Sequence, residues 1–413
     1  MIECFAADLK ERITNQEVGI RKLKILMIAP TAFFSSRGGH LRILGEAVAL
    51  TRLGYSVTVC AYGVGNDVPD VKVFRGKLRP KNYKHGPSKL RPLLDIELLV
   101  TSIKSYIRER PDIIHGHLHE GAAIGSILSL FTGTPVVLDA QGSISDETVS
   151  SGLTRRGSPM HLLLRLFELL TIRKASVVLA SSRQLVKSYR SRLPSDQGSK
   201  IIAVLDGFDN SHFRSLPKNH DLLKQLGIQE DRKVVVYLGS LERVQGVSSM
   251  IEAAQYVLKQ RTDVHFLFMG TPIDMSLVEC RELAAKNGVS GETTFLGTVP
   301  YELAPKYLSL GDVAISAKVS KSEANGKICV YMAMGLPTIC FDTPINRDLL
   351  GDLGFFATEA TPEALAQQVI EALDALEARG EKLRNQLSER ANDTASWNSM
   401  VSHITKSYDQ ILN

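Results

Sequence analysis

The chain contains few cysteines, and their spacing is not typical of a disulfide framework or a metal site. Its 413 residues include five cysteines, and no two of them form a C-x-x-C pair. Scattered cysteines within apolar segments, such as Cys60 and Cys340, are typical of buried reduced thiols in a cytoplasmic protein. The sequence therefore favours a cytoplasmic location over an extracellular, disulfide-linked one.

Long apolar runs are also absent. The most apolar stretch, residues 161–170, contains Arg165 and Glu168, whereas a membrane-spanning helix needs about 20 predominantly apolar residues. Residues 1–22 mix acids and bases without an apolar core, so we interpret them as an N-terminal extension and not as a signal peptide. We expect a soluble protein, or one that is peripheral on the cytoplasmic face of a membrane.

Several motifs that would define other enzyme classes do not occur. The chain has no Walker loop, no nucleophile elbow and no Asp-x-Asp pair, and its first glycine pair does not continue as G-x-G-x-x-G. These absences disfavour a nicotinamide enzyme. The formal net charge of +5 is small for this length and argues against a dedicated nucleic-acid-binding protein.

Basic residues are concentrated in only one part of the sequence. A solvated loop is the simpler interpretation of this stretch, and contact of residues 77–91 with anionic head groups or an acidic acceptor is the alternative. Three prolines within residues 80–92 argue against a long helix there. The basic side chains are Arg75, Lys77, Arg79, Lys81, Lys84, His85, Lys89 and Arg91.

Apolar runs alternate with amphipathic segments along the first half of the chain. Residues 24–30 are almost entirely apolar, which is typical of a strand that is buried on both faces of a parallel sheet. The alternation of such strands with helical segments predicts a doubly wound α/β sheet. The other strands predicted in this half are residues 56–60, 112–117, 135–140, 176–181 and 201–205.

The same alternation restarts after residues 206–209, which we interpret as a hinge. The sequence therefore predicts two Rossmann-like domains, with residues 23–207 in the first and residues 208–393 in the second. Ligands bind beyond the carboxyl ends of the strands in sheets of this kind. The strands predicted in the second half are residues 233–239, 264–270, 293–297, 312–316 and 338–342.

Two polar turns follow predicted strands and are candidate ligand sites. The first contains Gly38, Gly39 and His40, and paired glycines allow backbone N–H groups to approach a ligand closely. The second, residues 322–327, begins a helix whose N-terminus could hold an anion. A plain tight turn at the first site, and a surface turn with a Glu323–Lys327 ion pair at the second, are the alternatives.

Three histidines alternate along an extended segment and therefore share one face of it. His115, His117 and His119 lack a neighbouring carboxylate cluster in the sequence, so we expect no metal site. A hydrogen bond from one of these histidines to a sugar or phosphate is the favoured interpretation.

Taken together, these features are similar to those of the retaining glycosyltransferases of family 4 (glycosyl transferases group 1). The likeness covers nearly the whole chain, and the order of the motifs is more specific than any one of them. The residues that carry it are Gly38-Gly39, Gly54-Tyr55-Ser56-Val57, Asp112 with His115-Gly116-His117, Asp206-Gly207-Phe208-Asp209 with Phe213, Tyr237-Leu238-Gly239 with Gln245-Gly246, Phe295-Leu296-Gly297 and Tyr331-Met332-Ala333-Met334-Gly335-Leu336-Pro337.

The resemblance implies a GT-B fold, in which two Rossmann-like domains face each other across a cleft and a final helix, residues 394–413, crosses back to the N-terminal domain. It implies transfer of a sugar, with retention and without a metal or cofactor, from a nucleotide diphosphate sugar on the C-terminal domain. The acceptor, a glycan or a membrane lipid, would bind to the N-terminal domain. His117 would lie near the donor sugar, and the Gly38-Gly39 turn would lie near its phosphates.

The sequence departs from the family pattern at its charged positions. Alignment on Tyr331-Met332-Ala333 places Ser322 and Val330 where the family has a pair of glutamates. Ser240 and Gln245 stand where the family has the arginine and lysine that flank the diphosphate. These departures indicate a divergent subgroup in which Arg243 and Lys327 compensate.

We therefore expect three catalytic residues. Glu323 would contact hydroxyls of the donor sugar, His117 would stabilise the transition state, and Lys327 would stabilise the leaving diphosphate. Two alternatives are a sugar-nucleotide epimerase of the same architecture and a non-catalytic protein that binds nucleotide sugars. The predicted substrate-binding residues are Gly38, Gly39, His40, His119, Gln141, Gly239, Ser240, Arg243, Asn325 and Gly326.

Overall fold

A computed structural model of the chain describes residues 22–34, 38–68, 71–81, 83, 90–150, 152–318 and 324–412. The strands of the described chain form two parallel sheets, as the alternation in the sequence predicts. The predicted α/β architecture with two Rossmann-like domains is confirmed. Among the described residues, no helix combines the length and the apolar character that crossing a bilayer requires.

The first sheet has seven parallel strands in the order β3-β2-β1-β4-β5-β6-β7. Alternate residues of β1 belong to different cores, since Ile25 and Met27 pack on one face and Leu26 and Ile28 on the other. This explains why the strand is apolar at every position. The strands are β1 Lys24–Ala29, β2 Ser56–Ala61, β3 Lys72–Arg75, β4 Ile113–His117, β5 Val136–Ala140, β6 Val177–Ala180 and β7 Ile201–Ala203.

Helices connect these strands and cover both faces of the sheet. Side chains of α1 pack on one face, and side chains of α2 and α3 pack on the other. The helices are α1 Gly38–Arg52, α2 Arg91–Glu109, α3 Leu118–Thr132, α4 Ile144–Ser150, α5 Pro159–Lys174 and α6 Arg183–Arg190.

The second sheet has six parallel strands in the order β10-β9-β8-β11-β12-β13. Its strands are β8 Lys233–Leu241, β9 Val264–Pro272, β10 Thr293–Gly297, β11 Val313–Ser316, β12 Thr338–Phe341 and β13 Phe355–Ala357. The accompanying helices are α7 His220–Gln225, α8 Val247–Leu258, α9 Leu277–Lys286, α10 Ala304–Leu308, α11 Gly326–Ala333, α12 Pro344–Leu350, α13 Pro362–Ala395 and α14 Trp397–Leu412.

The structure corrects the interpretation of residues 75–94 as a solvated loop at the two ends of this stretch, whereas residues 76–81 form no helix or strand and are mostly exposed. Arg75 ends the edge strand β3, and the 19-residue helix α2 begins at Arg91. Pro92 lies in the first turn of this helix, where its missing N–H group has no intrahelical partner to lose. Within residues 77–91, residues 82 and 84–89 lie outside the described chain.

The C-terminal helix crosses back to the first domain, as the family resemblance implies. The backbone N–H of Phe208 donates to Ala395 O at 2.9 Å, and the N–H of Trp397 donates to Phe208 O at 3.1 Å. Helix α14 begins at this junction and packs into the core beside α1. The two segments that connect the domains, one at Phe208 and one at residues 395–397, are therefore hydrogen-bonded to each other.

Trp397 fills the space at this junction. Its indole is so close to Gly45 of α1 and to Gly207 that a Cβ atom on either glycine would overlap the ring. Gly45 is therefore required by close packing, although glycine in a helix is usually less stable than alanine by about 1 kcal/mol.

We predict that Gly45→Ala destabilises the protein by about 1–3 kcal/mol, because the added methyl group overpacks the contact with Trp397. Gly291→Ala is the matched control, since a Cβ atom there would have no neighbour within 4 Å. Urea unfolding followed by circular dichroism measures both variants. A Gly45→Ala protein as stable as the control variant would contradict the close packing.

Candidate active site

A cleft of about 570 Å³ lies between the two domains and is lined by residues of both. Its walls are built from segments that follow strands at the carboxyl edges of the two sheets. Parallel sheets bind ligands at this edge, so the cleft lies where the topology predicts a site. Eight of the predicted site residues line it: Gly39, His40, Gln141, Gly239, Ser240, Asn325, Gly326 and Lys327.

The N-terminal wall includes the start of α1, where Gly39 lies against the turn after β5. A Cβ atom on Gly39 would come within 2.8 Å of Gln141 Oε1, so glycine permits this close approach. Gln141 Nε2 in turn donates a hydrogen bond to Asp139 Oδ2 at 3.0 Å. Gly38 is the first residue of α1, so the predicted glycine turn is the helix N-terminus itself.

Asp139 is the buried acid at the centre of this wall. It is the one polar residue of β5, and Arg42 donates to its Oδ1 from Nε at 3.0 Å and from NH2 at 2.7 Å. Burial opposes the charge of Asp139, but Arg42 and His117 outweigh it and hold the pKa of this carboxyl well below its usual range. Asp139 is therefore a permanent buried anion.

Arg42 joins Asp139 to the hinge between the domains. Its NH1 group donates to Val204 O at 3.0 Å and to Asp206 Oδ1 at 3.1 Å. Burial disfavours the charged guanidinium, yet Asp139, Glu46 and Asp206 raise the pKa of Arg42 above its ordinary value. The fully buried cation is thus held by carboxyl groups on three sides, those of Glu46, Asp139 and Asp206.

His117 ends β4 and is oriented by Asp139, whose Oδ2 lies 2.9 Å from its Nδ1. Its Nε2 has no hydrogen-bond partner among the residues that the structure describes. The imidazole is fully buried, and the next residue, Leu118, lines the cleft with a φ of 57°. A left-handed backbone at leucine is strained, and such strain is concentrated at functional sites.

His115 and Glu46 form a second buried pair behind His117. The rings of His115 and His117 stack with centroids 4.7 Å apart, and His115 Nε2 lies 3.4 Å from Glu46 Oε2. Burial and the charge of Asp139 raise the pKa of Glu46 well above its ordinary value, while burial and His117 lower the pKa of His115. Both shifts favour the uncharged forms of the pair, a protonated carboxyl group on Glu46 and a neutral imidazole on His115.

Four of these groups are close enough together to suggest a metal site. One potential ligand atom from each of Glu46, His115, His117 and Asp139 lies within 4.8 Å of the others. However, the guanidinium of Arg42 lies 3.1 Å from Glu46 and 2.7 Å from Asp139. The arginine already supplies a positive charge to both carboxyl groups, so the cluster is poorly suited to a further cation.

His119 does not line the cleft, so its predicted contact with substrate is corrected. Its Nδ1 lies 2.7 Å from Thr171 Oγ1, and its Nε2 lies 2.9 Å from the hydroxyl of Tyr189. The side chain is buried beneath α5, where it connects three elements of the first domain. Because Leu118 and His119 begin the helix α3, the extended alternation assumed from the sequence stops at His117.

The C-terminal wall is formed by the end of β8 and the start of α11. Lys327 Nζ lies 2.5 Å from Gln245 Oε1 and 5.5 Å from the centre of the Tyr237 ring. Gly239 lies beneath the lysine, since a Cβ atom there would come within 3.1 Å of Lys327 Cε. Lys327 thus occupies the same corner of the cleft as Gln245, which stands at the lysine position of the family pattern. Its ammonium group is therefore close enough to compensate for the missing lysine.

Two further predicted residues have packing roles at the start of α11. Asn325 Nδ2 donates to Ser316 Oγ and to Asn346 Oδ1, each at 3.1 Å, and the residue is almost fully buried. Gly326 lies against the hinge, because a Cβ atom there would be 2.9 Å from Asp206 Oδ2. These contacts fix the direction in which the N-terminus of α11 faces the cleft.

The predicted role of Arg243 is not supported by its position. Its guanidinium pairs with Glu279 Oε1 at 3.4 Å on the exposed surface, and the residue does not line the cleft. Ser240, which stands at the arginine position of the family pattern, donates from its Oγ to Glu242 Oε2 at 2.8 Å, and both residues line the cleft. Glu323 and Ser322 lie outside the described residues.

Sequence reasoning missed the charged network behind His117. Arg42 and Glu46 are four residues apart on α1, a spacing that usually indicates an exposed ion pair, yet both are buried. Asp139 was the available signal, because an acid at the end of a strand that is otherwise apolar must find a buried cation or hydrogen-bond donor. Asp206 was identified only as part of the hinge.

Comparison with known proteins identifies the family. A profile of glycosyl transferases group 1 matches residues 219–394, and a profile of the glycosyl transferase 4-like domain matches residues 37–198. The two matches take in most of the chain, one in each domain. The chain belongs to the group 1 glycosyltransferases, with a family 4-like N-terminal domain.

Two curated relatives share a modest identity with the chain. Alpha-D-kanosaminyltransferase of Streptomyces kanamyceticus is 24% identical over 220 residues, which cover 52% of this chain and 55% of that protein. A glycosyltransferase of Methanocaldococcus jannaschii is 23% identical over 307 residues, which cover 71% of this chain and 74% of that protein. The chain thus spans little more than half the length of the first relative.

Solved structures with the same fold cover almost all of the chain. Sucrose-phosphate synthase of Thermosynechococcus elongatus superposes with a TM-score of 0.77 at 18% identity, covering 94% of this chain and 99% of that one. HepE of Anabaena, solved in complex with UDP and glucose, superposes with a TM-score of 0.73 at 18% identity, covering 94% of this chain and 100% of that one. These likenesses confirm the GT-B fold.

We predict that Glu46→Gln flattens the decline in stability that this group causes above about pH 4.5. Because the pKa of Glu46 is raised on folding, the folded state holds a proton that the unfolded state releases above about pH 4.5. Stability from this group therefore falls as the pH rises through that value towards the folded pKa. Urea unfolding from about pH 5 to about pH 9 should show the wild type losing stability relative to Glu46→Gln.

Asp139→Asn is the contrasting variant for the same measurement. Its pKa is lowered on folding, so its charge stabilises the fold above about pH 4, and removing the charge leaves the buried Arg42 incompletely paired. We expect a loss of about 3–5 kcal/mol at neutral pH. Equal pH profiles for the two variants would contradict the assigned protonation states.

Proposed function

We propose that the protein transfers a sugar from a nucleotide diphosphate sugar to a glycan or lipid acceptor, with retention at the anomeric carbon. Membership of the group 1 glycosyltransferases and the cleft between the two domains support this proposal. The complexes of HepE with UDP and with UDP-glucose support a donor of the same chemical class. In this arrangement the donor binds against the C-terminal wall.

The observation that carries the proposal is the position of Lys327 at the start of α11. A leaving diphosphate develops negative charge, which a lysine and backbone N–H groups at a helix N-terminus stabilise. Lys327 and Gly326 both line the cleft, and Gly239 beneath the lysine has no side chain that would obstruct a phosphate. The corner contains these groups in place of the arginine and lysine of the family pattern.

His117 would act on the donor sugar from the opposite wall. Asp139 fixes its Nδ1, which leaves Nε2 as the atom available to a ligand. Since the ring is buried, contact with a sugar requires the strained turn at Leu118 to move when the cleft fills. The acceptor would then attack on the face from which the diphosphate leaves, which accounts for retention without an enzyme nucleophile.

We also propose that the reaction needs neither a metal nor another cofactor and takes place in the cytoplasm. Arg42 provides a positive charge between Glu46 and Asp139, where a metal would otherwise bind. The described cysteines, Cys60, Cys280, Cys329 and Cys340, are all buried free thiols, as in proteins of reducing compartments.

A thermal-shift screen against nucleotide diphosphates and nucleotide sugars tests whether the donor site exists and which base it accepts. NMR of the product then gives its anomeric configuration, and inversion would contradict the proposed course. Incubation with the nucleotide sugar alone reveals an epimerase, while calorimetric binding without turnover reveals a non-catalytic protein.

We predict that Lys327→Ala weakens binding of a nucleotide diphosphate about ten- to a hundredfold, because a charge-assisted contact with the phosphates is lost. Lys306→Ala, which removes an exposed lysine of α10, is the matched control and should bind normally. Isothermal titration calorimetry gives both affinities. Unchanged affinity in Lys327→Ala would remove the central support for the donor site.

His117→Ala should lower kcat by about a hundredfold or more while nucleotide affinity is retained. His403→Ala removes an exposed histidine of α14 and serves as the control. Glu323→Ala tests the remaining catalytic assignment in the same turnover assay. Near-normal rates in both His117→Ala and Glu323→Ala would overturn these roles.

Dialysis against EDTA should leave donor turnover unchanged, because Arg42 already provides the positive charge between Glu46 and Asp139. Activity that is lost on dialysis and restored by a divalent cation would instead assign the cluster of Glu46, His115, His117 and Asp139 to a metal.

A further inference from the structure

Most of the exposed large apolar side chains of the described chain lie on or beside three helices of the first domain, α2, α3 and α5. These helices cover the same side of the sheet. Leu98 of α2 and Leu128 of α3 share one core cluster, and Ala122 of α3 and Ile172 of α5 share the next. We call the outer surface of the three helices the apolar face.

Helix α5 contributes the broadest part of the apolar face. Leu163, Leu166 and Leu170 recur at helical spacing and are 59%, 51% and 49% exposed. Leu162 and Met160 extend this stripe on either side. A helix that only packed against the sheet would carry polar residues on its outer side. The outer side of α5 is instead apolar, and nothing in the described chain covers it.

The neighbouring helices continue the same surface. Phe131 and Leu130 at the end of α3 are 85% and 71% exposed. On α2, Ile96, Val100 and Ile107 point outward along its length. Because all three helices run from the carboxyl edge of the parallel sheet back to its other edge, their axes are roughly parallel and their outer sides form one surface.

The exposed charges on these helices are all positive. Every acid on the three helices is only partly exposed or buried and has a partner within the domain. The exposed basic residues are Lys104, Arg108, Arg165, Arg173 and Lys174. The acids and their partners are Asp95 with Tyr62, Glu97 with the backbone of Leu78, Glu109 with Lys72, Glu120 with Arg91, and Glu168 with Arg192.

We propose that the apolar face binds the surface of an anionic phospholipid bilayer, with the three helices lying parallel to the membrane. Exposed leucines would enter the boundary between head groups and acyl chains, and the lysines and arginines around them would contact lipid phosphates. A second copy of the chain is the less suitable occupant, because a symmetric contact would place basic helices against each other.

The geometry of the cleft is compatible with this orientation. Arg91 and Leu118, the first residues of α2 and α3, line the cleft, as does Glu147 of α4, which packs beside α5. The N-terminal ends of the face therefore reach the cleft. If the proposed sugar transfer is correct, an acceptor held in the bilayer would enter at this edge, but the membrane contact itself does not depend on that reaction.

The apolar face is not the basic stretch, residues 77–91, for which the sequence suggested contact with anionic head groups. Lys77, Arg79 and Lys81 are exposed beside the apolar face and could add to the attraction. Arg91 is not available in this way, since it pairs with Glu120 at 3.2 Å and lines the cleft. The main contact is instead assigned to the helices.

Flotation with lipid vesicles tests the proposal. The full chain should bind vesicles of phosphatidylcholine with phosphatidylglycerol and bind phosphatidylcholine vesicles much more weakly. Leu166→Gln with Leu170→Gln should weaken binding to the anionic vesicles about tenfold or more, because two apolar side chains no longer enter the boundary. Arg165→Gln with Arg173→Gln and Lys174→Gln should weaken it at low salt, with a smaller effect at high salt.

Val278→Gln with Arg281→Gln is the matched control, because both residues are exposed on α9 of the other domain. Failure of the wild type to bind anionic vesicles, or an equal loss in the control variant, would overturn the proposal. Light scattering that shows a dimer, converted to a monomer by Leu166→Gln with Leu170→Gln, would assign the face to a second copy instead. Nucleotide binding, measured on the same variants, should be unchanged and confirms that they are folded.

Discussion

The guanidinium of Arg42 lies where buried acids from three segments of the chain meet, and the N-terminal wall of the cleft depends on it. Transferring such charges from water into a protein is costly unless each is paired. Removing either the arginine or one of its acids would therefore leave a buried charge without a partner. Arg42 balances Asp139, which in turn orients His117. The imidazole is thus held by a contact that begins on α1, and its position is fixed before any ligand arrives.

The same guanidinium connects the two domains through the hinge. Asp206 accepts from Arg42 on one side and lies against Gly326, the first residue of α11, on the other. The start of the helix that carries Lys327 is therefore positioned relative to His117 through only three residues. A GT-B cleft must align groups that belong to separate sheets. The contacts through Asp139, Arg42 and Asp206 provide this alignment across the base of the cleft.

The sequence was sufficient for the architecture because strands of parallel sheets are apolar on both faces, as in β1 and β6. It was less informative at the edges, where β3 and β13 are short and partly exposed. Within the site, turns after strands identified Gly39, Gln141 and Lys327, since topology alone brings them together. Arg42, Glu46 and the internal role of His119 depend on side-chain packing between distant segments, which spacing along one helix or strand does not encode.

The position of Trp397 makes its intrinsic fluorescence sensitive to the state of the cleft. It is the single tryptophan of the chain, it lines the cleft, and its ring lies 5.9 Å from the guanidinium carbon of Arg42. Indole fluorescence responds to nearby charge and to exclusion of water. The junction where the chain crosses between the domains therefore contains a natural spectroscopic probe, and its emission should report ligand entry and any relative movement of the domains without an added label.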